Sequence, residues 1–96
     1  MKFKLFSALG FSHKGCYRDS RQRTLPVFIG NFPKSQLIVK CYQEAKARSY
    51  KAFGCQNKKE CFTGPKAHND YNKLGKATNC QNGVGGGWAQ DIYFIT

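Results

Sequence analysis

Five cysteines are the residues of this chain whose type and spacing most clearly allow chemistry: Cys16, Cys41, Cys55, Cys61 and Cys80. Cysteines either pair as disulfides or bind metal as thiolates, and structural zinc sites favour closely spaced pairs. The closest pair here, Cys55 and Cys61, has five residues between them, and the near pair His13 and Cys16 has no second pair to complete a finger. The spacing therefore favours disulfides, and with them an oxidising compartment. Because the count is odd, at most two intramolecular disulfides form and one thiol is left over.

Catalytic chemistry has little support in the sequence. The two histidines, His13 and His68, lie in polar stretches, so no Ser-His-Asp or Cys-His arrangement can be argued and both are expected at the surface. A glycosidase pair would have to come from five carboxylates, several of which, such as Glu44, are expected in solvent. The glycine-rich run at 83–87 lacks the Gly-Lys-Ser/Thr ending of a phosphate loop. We therefore expect no enzyme, no cofactor and no metal site.

The charge is strongly one-sided. Sixteen Lys and Arg residues face five Asp and Glu residues, for a formal net charge of +11. Such a surface attracts polyanions through long-range electrostatics. Acidic or sulfated polysaccharides, nucleic acid, anionic membranes and mineral surfaces are all candidate partners, and solubility alone is the simpler alternative.

These residues must be positioned by one small domain, because 96 residues suffice for one domain and not for two. A chain of this size buries a modest core and benefits from covalent links. No run approaches the roughly 20 apolar residues of a transmembrane helix. The basic, briefly apolar start only loosely imitates a signal peptide, so we expect the export signal to be missing. We interpret 1–12 as an N-terminal extension or edge strand and 13–96 as the domain.

One helix is predicted over 36–49. Leu37, Cys41 and Ala45 repeat at helical spacing and form one apolar stripe. Ser35, which follows Pro33, is the expected N-cap.

Strands are predicted over 50–55 and 60–63, which form a hairpin, and over 91–95 near the C-terminus. Residues 25–32 are predicted to be an extended loop because of the flanking prolines. Residues 66–82 are predicted to be a long surface loop, held down by Tyr71 and Leu74. The aromatic residues assigned to the core are Tyr50, Phe53, Phe62, Tyr93 and Phe94.

Four blocks of this sequence, taken in order, resemble the WSC domain. Residues 15–20 read GCYRDS and are followed by Arg23 and Leu25, as in the family's opening GCYxDSxxRxL. Residues 50–56 read YKAFGCQ and residues 60–64 read ECFTG, similar to the family's YxxFGxQ and ECFxG segments. Residues 86–88 with Ile92 and Tyr93 resemble its closing segment. The resemblance spans 13–95 and implies an α+β fold, small and disulfide-stabilised, in which one helix packs on a short antiparallel sheet with long loops.

The cysteines depart from the family pattern of eight. Ala45 and Thr63 stand where the family has two bridged cysteines, and Cys55 stands where it has an aliphatic residue. This is similar to reduced variants in invertebrate secreted proteins. The resemblance implies the disulfides Cys16–Cys80 and Cys41–Cys61, which leave Cys55 as a buried free thiol or, alternatively, an intermolecular link.

The resemblance also implies a secreted, extracellular carbohydrate-binding, lectin-like module for a glycan, an anionic or matrix polysaccharide included. Sugars are held by aromatic faces and by planar polar groups. The candidate ligand-binding residues are Tyr17, Arg18, Asp19, Tyr71, Asn72, Asn82 and Trp88. Tyr17 and Trp88 could equally be core residues, and Arg18 could pair internally with Asp19.

The alternative function is a cationic structural, matrix or defence protein that acts through its charge on polyanions, membranes or mineral. Nucleic-acid binding is less expected of an extracellular disulfide protein. A homo-oligomer would increase the avidity of weak sugar sites.

Overall fold

The computed structural model of this protein describes residues 10–96. These residues form seven strands and two helices: β1 Phe11–Arg18, β2 Val27–Asn31, α1 Leu37–Ala47, β3 Ala52–Gln56, β4 Glu60–Thr63, α2 Ala67–Asp70, β5 Cys80–Gln81, β6 Val84–Gly85 and β7 Ala89–Ile95. The interpretation of 1–12 as an extension or edge strand falls mostly outside the described residues, although Phe11 already belongs to β1. Among residues 10–96, no helix is long and apolar enough to cross a membrane.

Five strands form one antiparallel sheet in the order β1-β7-β3-β4-β2, and β5 pairs with β6 in a separate ribbon. The central strands β3 and β7 are almost wholly buried, since side chains of both faces are covered. Beyond the last pair of β1 and β7, the Thr96 amide donates to the Gly10 carbonyl, with N and O 2.7 Å apart. Gly10 and Thr96 therefore lie together, at the same end of the neighbouring strands β1 and β7.

Helix α1 covers one face of the sheet with the predicted apolar stripe. Leu37, Cys41 and Ala45 are fully buried and pack against Phe53 and Tyr93 of the central strands. The predicted cap was wrong: the helix begins after Gln36, and no side chain caps it. At the other end, Ser49 has a φ of 62°. The Ser49 amide donates to Lys46 O and the Tyr50 amide to Ala45 O, the bond pattern of a Schellman motif.

Two disulfides join the pairs that the resemblance implied. Cys41–Cys61 links α1 to β4, and Cys16–Cys80 links β1 to β5. Cys55 is a free, buried thiol among the residues described. Burial raises the pKa of the Cys55 thiol, and the neighbouring Asp91 carboxylate raises it further, so the thiol stays protonated at neutral pH. A protonated, enclosed thiol is a poor nucleophile, and Cys55 serves as an apolar core residue.

Residues 25–32 are not a loop, as the flanking prolines had suggested. Val27–Asn31 forms β2, which among residues 10–96 pairs only with β4 and has a register irregularity between Phe28 and Gly30. An edge strand tolerates neighbouring prolines because one of its sides needs no hydrogen-bond partner.

The predicted loop at 66–82 also contains more structure than expected. It holds the short helix α2, a bridge between Lys76 and Tyr17, and strand β5. Tyr71 packs edge-to-face on Tyr17 with ring centroids 4.9 Å apart, as an anchor should. Leu74, the other expected anchor, is exposed. The segment is held instead by its backbone bridge and by the Cys16–Cys80 disulfide.

The face of the sheet opposite α1 has its own core. It contains Leu25, Ala52, Phe62 and Ile92, with Phe94 packed beside them. Of the predicted core aromatics, Phe53, Phe62 and Tyr93 are buried, and Tyr50 and Phe94 are half-buried against the two cores. This second core lies beneath the residues that form the candidate site.

Candidate functional site

Trp88 lies in the turn that leads into β7, and 53% of its surface is exposed to solvent. Its φ of 55° lies in the left-handed region, which bulky residues rarely adopt. The turn is held by the Ala89 amide, which donates to Gly86 O, and by the Asp19 amide, which donates to Trp88 O at 2.9 Å. A large aromatic ring kept in an unfavourable backbone conformation and left in solvent does little for the core. This combination is typical of a ligand-contacting residue.

Arg23 braces the Trp88 ring from within the protein. Its guanidinium carbon lies 5.1 Å from the centroid of the Trp88 ring and 4.6 Å from that of Phe62. Both distances fall within the range of cation–π attraction. The guanidinium therefore joins the exposed ring to the core beneath it.

A buried polar network holds Arg23 in this position. Asp19 Oδ2 accepts from Arg23 Nη1 at 2.9 Å, and Asp19 Oδ1 accepts from the Thr24 amide at 3.0 Å. With its amide oriented to satisfy both ends, Gln56 donates to Asp19 Oδ2 at 3.0 Å and accepts from Arg23 Nη1. The Gln90 amide nitrogen donates to Thr24 Oγ1. Charge-assisted bonds of this kind fix both the position and the orientation of a guanidinium.

A continuous groove runs from Trp88 to Phe28. One cavity of about 270 Å³ is lined by Arg23, Gln56, Asn57, Glu60, Gly87 and Trp88. A second, of about 340 Å³, is lined by Arg23, Pro26, Phe28, Glu60 and Phe62. Arg23 and Glu60 line both, so the two cavities adjoin. We call this surface, from Trp88 across Arg23 and Glu60 to Phe28, the Trp88 groove.

The Trp88 groove has an exposed aromatic ring at each end and planar polar groups between them. Phe28, like Trp88, is 53% exposed, and its ring packs on Phe62 with centroids 5.1 Å apart. Between the rings, the exposed Asn57 amide lies 3.4 Å from the half-buried Glu60 carboxylate. Aromatic faces with neighbouring amide, carboxylate and guanidinium groups are suited to a ligand that has both C–H faces and hydroxyl groups.

A second cavity system lies on the other side of the β3–β4 turn. It has a volume of about 400 Å³ and is lined by Lys34, Lys58, Thr78, Asn79, Cys80, Gln81, Asn82, Val84, Gly85 and Gly86. We call it the lysine cleft. Its floor includes β6, where a Cβ on Gly85 would collide with the Ala89 backbone. Only glycine fits at this position, so the glycine-rich run is close-packed at Gly85, whereas Gly87 has open space around it.

The seven candidate residues from the sequence do not form one site. Trp88 and Asp19 are brought together, but Asp19 is buried and acts on the ligand surface only through Arg23. Arg18 does not pair with Asp19, and its side chain donates to Lys76 O at 3.1 Å. Asn82 lies in the lysine cleft.

The remaining candidates lie near the α2 segment. Tyr17 is buried, as the core alternative held, and its ring contacts the half-buried Tyr71. Asn72 is exposed in the turn that follows α2. Among the surface histidines expected, His13 is exposed and lies 2.6 Å from the buried Asp91 carboxylate, whereas His68 is half-buried.

Several residues of these surfaces were not among the sequence candidates: Arg23, Phe28, Lys34, Gln56, Asn57, Lys58 and Glu60. Arg23 could have been predicted to pair with Asp19, because it stands four residues after Asp19 in a polar segment. The turn at the lysine cleft could have been predicted with more certainty, because the dipeptide Asn82-Gly83 is typical of a tight hairpin turn. Both residues have positive φ, 54° and 82°, between β5 and β6.

The sequence matches a known protein family over most of its length. Residues 13–88 match the WSC domain, a span that includes the GCYRDS block, both central hairpin strands and Trp88. No curated protein matched. WSC domains are extracellular, and the two disulfides are consistent with that environment. The chain therefore belongs to the WSC domain family, and this membership indicates a carbohydrate-binding module of the lectin-like kind.

Proposed function

We propose that this protein is a secreted, non-catalytic glycan-binding module whose ligand lies in the Trp88 groove. The observation that carries the proposal is the Trp88 ring, which is exposed, held at positive φ and braced by Arg23, whose guanidinium is paired with the buried Asp19. A ring kept in this state costs conformational energy, and binding is the purpose that would account for it.

The contacts follow from the groups that line the groove. A pyranose ring would stack its C–H face on Trp88, and its hydroxyls would meet the Asn57 amide and the Glu60 carboxylate. Gln56 and Asp19 are already engaged with Arg23, so they position the site rather than touch the ligand. Phe28 offers a second stacking surface at the far end. Two platforms in one groove suit several consecutive sugars of a chain better than a single terminal sugar.

The charge supports an anionic or matrix polysaccharide as the ligand. The formal net charge is +11. Four of the five carboxylates are taken up by basic partners in pairs: Asp19 with Arg23, Glu44 with Arg48, Asp70 with Lys73, and Asp91 with His13. Most Lys and Arg side chains have no carboxylate available, and they leave a strongly positive surface that would concentrate a polyanionic glycan.

The same charge supports a second candidate function, a cationic structural or defence protein that adheres to polyanions, membranes or mineral. The two functions differ in their dependence on salt. Binding through net charge is lost as ionic strength rises, because surface charges are screened over about 8 Å at physiological salt. Stacking on Trp88 and hydrogen bonding in the groove persist.

The test is a glycan array probed at low and at high salt with the wild-type protein and Trp88→Ala. We expect selective signals that survive high salt and fall several-fold, up to about tenfold, in Trp88→Ala, the loss of one stacking contact. Leu74→Ala, which trims an exposed apolar side chain outside the groove, is the matched control and should bind as the wild type does. Signals confined to acidic glycans, erased by salt and indifferent to Trp88, would favour the cationic protein.

A further inference from the structure

The lysine cleft is the largest of the cavities described above, and the Trp88 groove makes no use of it. We propose that it is a second ligand site, which takes an anionic substituent, a sulfate ester or a carboxylate, on the same glycan chain. This proposal rests on the proposed glycan binding in the Trp88 groove. It adds a site that distinguishes an acidic sugar from a neutral one.

The electrostatics of the cleft favour an anion. Lys34 and Lys58 both line it, and no Asp or Glu does. Within residues 10–96, the ion pairs use Arg23, Arg48, Lys73 and His13, so neither lysine is neutralised. Residues 1–9 contain no acidic residue, so that segment supplies no carboxylate either. The ammonium groups of Lys34 and Lys58 line one concave surface without a carboxylate partner in the described part of the chain, so an anionic group of a ligand can pair with them.

The remaining lining of the cleft supplies neutral hydrogen-bond groups. The side chains of Thr78, Gln81 and Asn82 are exposed at its surface. Asn79 is already used, because its amide donates to Gly87 O at 3.0 Å. Ammonium groups together with amide and hydroxyl donors can bind the oxygens of a sulfate or carboxylate and a neighbouring sugar hydroxyl.

The walls of the cleft are held rigid. Asn57 and Lys58 have φ values of 50° and 68°, and the Lys59 amide donates to Gln56 O, as in a type I′ turn. The Lys58 amide also lies 3.4 Å from Gly85 O, which ties this turn to β6. On the opposite side, the Cys16–Cys80 disulfide anchors β5. The backbone that carries Lys58 is thus positioned before any ligand arrives, which reduces the cost of binding.

The cleft adjoins the Trp88 groove. Asn57 lines the groove, and the next residue, Lys58, lines the cleft. Likewise, Gly87 lines the groove and Gly86 lines the cleft. The segments 57–58 and 86–87 therefore separate the two cavities. A chain that stacks one sugar on Trp88 can direct the anionic group of a nearby sugar toward Lys34 and Lys58. The ligand class is a linear acidic polysaccharide bound along its length.

The test compares two double variants that remove the same charge. Lys34→Gln with Lys58→Gln empties the cleft of cations, and Lys40→Gln with Lys51→Gln removes two exposed lysines that do not line it. Because all four side chains are exposed, folding should be retained, and far-UV circular dichroism checks this. Calorimetry at physiological salt measures binding of a sulfated oligosaccharide, of its desulfated counterpart, of a uronate-containing oligosaccharide and of its carboxyl-reduced counterpart.

We expect the wild type to prefer the anionic member of one or both pairs by about tenfold, the effect of one charge-assisted contact. The cleft variant should lose this preference while it binds the neutral counterparts as before, and the control variant should keep it. The pair that shows the effect identifies the anion as sulfate or carboxylate.

Equal losses in the two double variants would overturn the proposal in favour of net charge, and so would an anion preference that survives in the cleft variant. Binding of the neutral counterparts, and its loss in Trp88→Ala, reports on the groove separately. A cleft-dependent preference without any Trp88 dependence would retain the cleft and reject the groove, whereas absence of binding to all four probes would reject both.

Discussion

The two faces of the five-stranded sheet are buried by different means. On the face covered by α1, apolar side chains and the Cys41–Cys61 disulfide fill the space around Phe53 and Tyr93. On the opposite face, Leu25 and Ile92 share the interior with a polar network that ends at Arg23. Apolar burial stabilises without fixing any direction, whereas directional hydrogen bonds and ion pairs fix a side chain in one orientation. The polar face is the one that carries Trp88, where orientation matters.

The largest effect should come from the apolar face. Phe53 is fully buried and stacks on Tyr93 with ring centroids 5.1 Å apart, so Phe53→Ala should lower the free energy of unfolding by about 3–5 kcal/mol. The glycan affinity of the molecules that remain folded should not change, because Phe53 lies on the far face from the groove. Denaturant unfolding and calorimetry measure the two quantities. A change in affinity as large as the change in stability would remove the distinction between the faces.

An intermediate effect on both quantities is expected at the polar face. Asp19→Asn removes a buried charge that accepts from Arg23 and Thr24, which should cost about 2 kcal/mol of stability and weaken glycan binding because Arg23 is released from beneath Trp88. The control is Glu44→Gln, which breaks the exposed Glu44–Arg48 pair and should cost no more than about 0.5 kcal/mol, with no effect on binding. If the two variants behave alike, the buried network does not position the site.

The smallest effect on stability should come from Trp88 itself. Trp88→Asn places a residue that tolerates positive φ in the turn, so the free energy of unfolding should change by less than about 1 kcal/mol although a large side chain is lost. Thermal unfolding of this variant and of Phe53→Ala provides the comparison. A destabilisation similar to that of Phe53→Ala would mean that the Trp88 ring is part of the core.

The parts of the fold that local patterns encode were predicted from the sequence. The stripe of Leu37, Cys41 and Ala45 predicted α1, and the apolar runs before and after the turn at 57–59 predicted the β3–β4 hairpin. Strand β2 was missed because its flanking prolines argue against a strand unless its place at the sheet edge is known. The β5–β6 ribbon was missed although Asn82-Gly83 carried its signal.

The candidate site was predicted only in part, because long-range pairing assembles it. Trp88 was identified by residue type, but its proximity to Asp19 depends on a backbone hydrogen bond between distant segments. Phe28 reaches the groove because the β2–β4 register sets it opposite Phe62. Whether Tyr17 or Asp19 is buried depends on which strands cover them. Neither hydrophobic periodicity nor local residue spacing predicts strand register or burial of this kind.

The pairing of Gly10 with Thr96 determines how this domain would present its ligand surface. These two residues adjoin at one end of β7, and Trp88 immediately precedes the other end. A strand of seven residues spans roughly 23 Å. A tether fused at Thr96 would therefore be attached far from the groove. Arrays of such domains, or a domain displayed on a bead through its C-terminus, would keep every groove accessible. Immobilisation by that end is therefore the geometry of choice for measuring avidity.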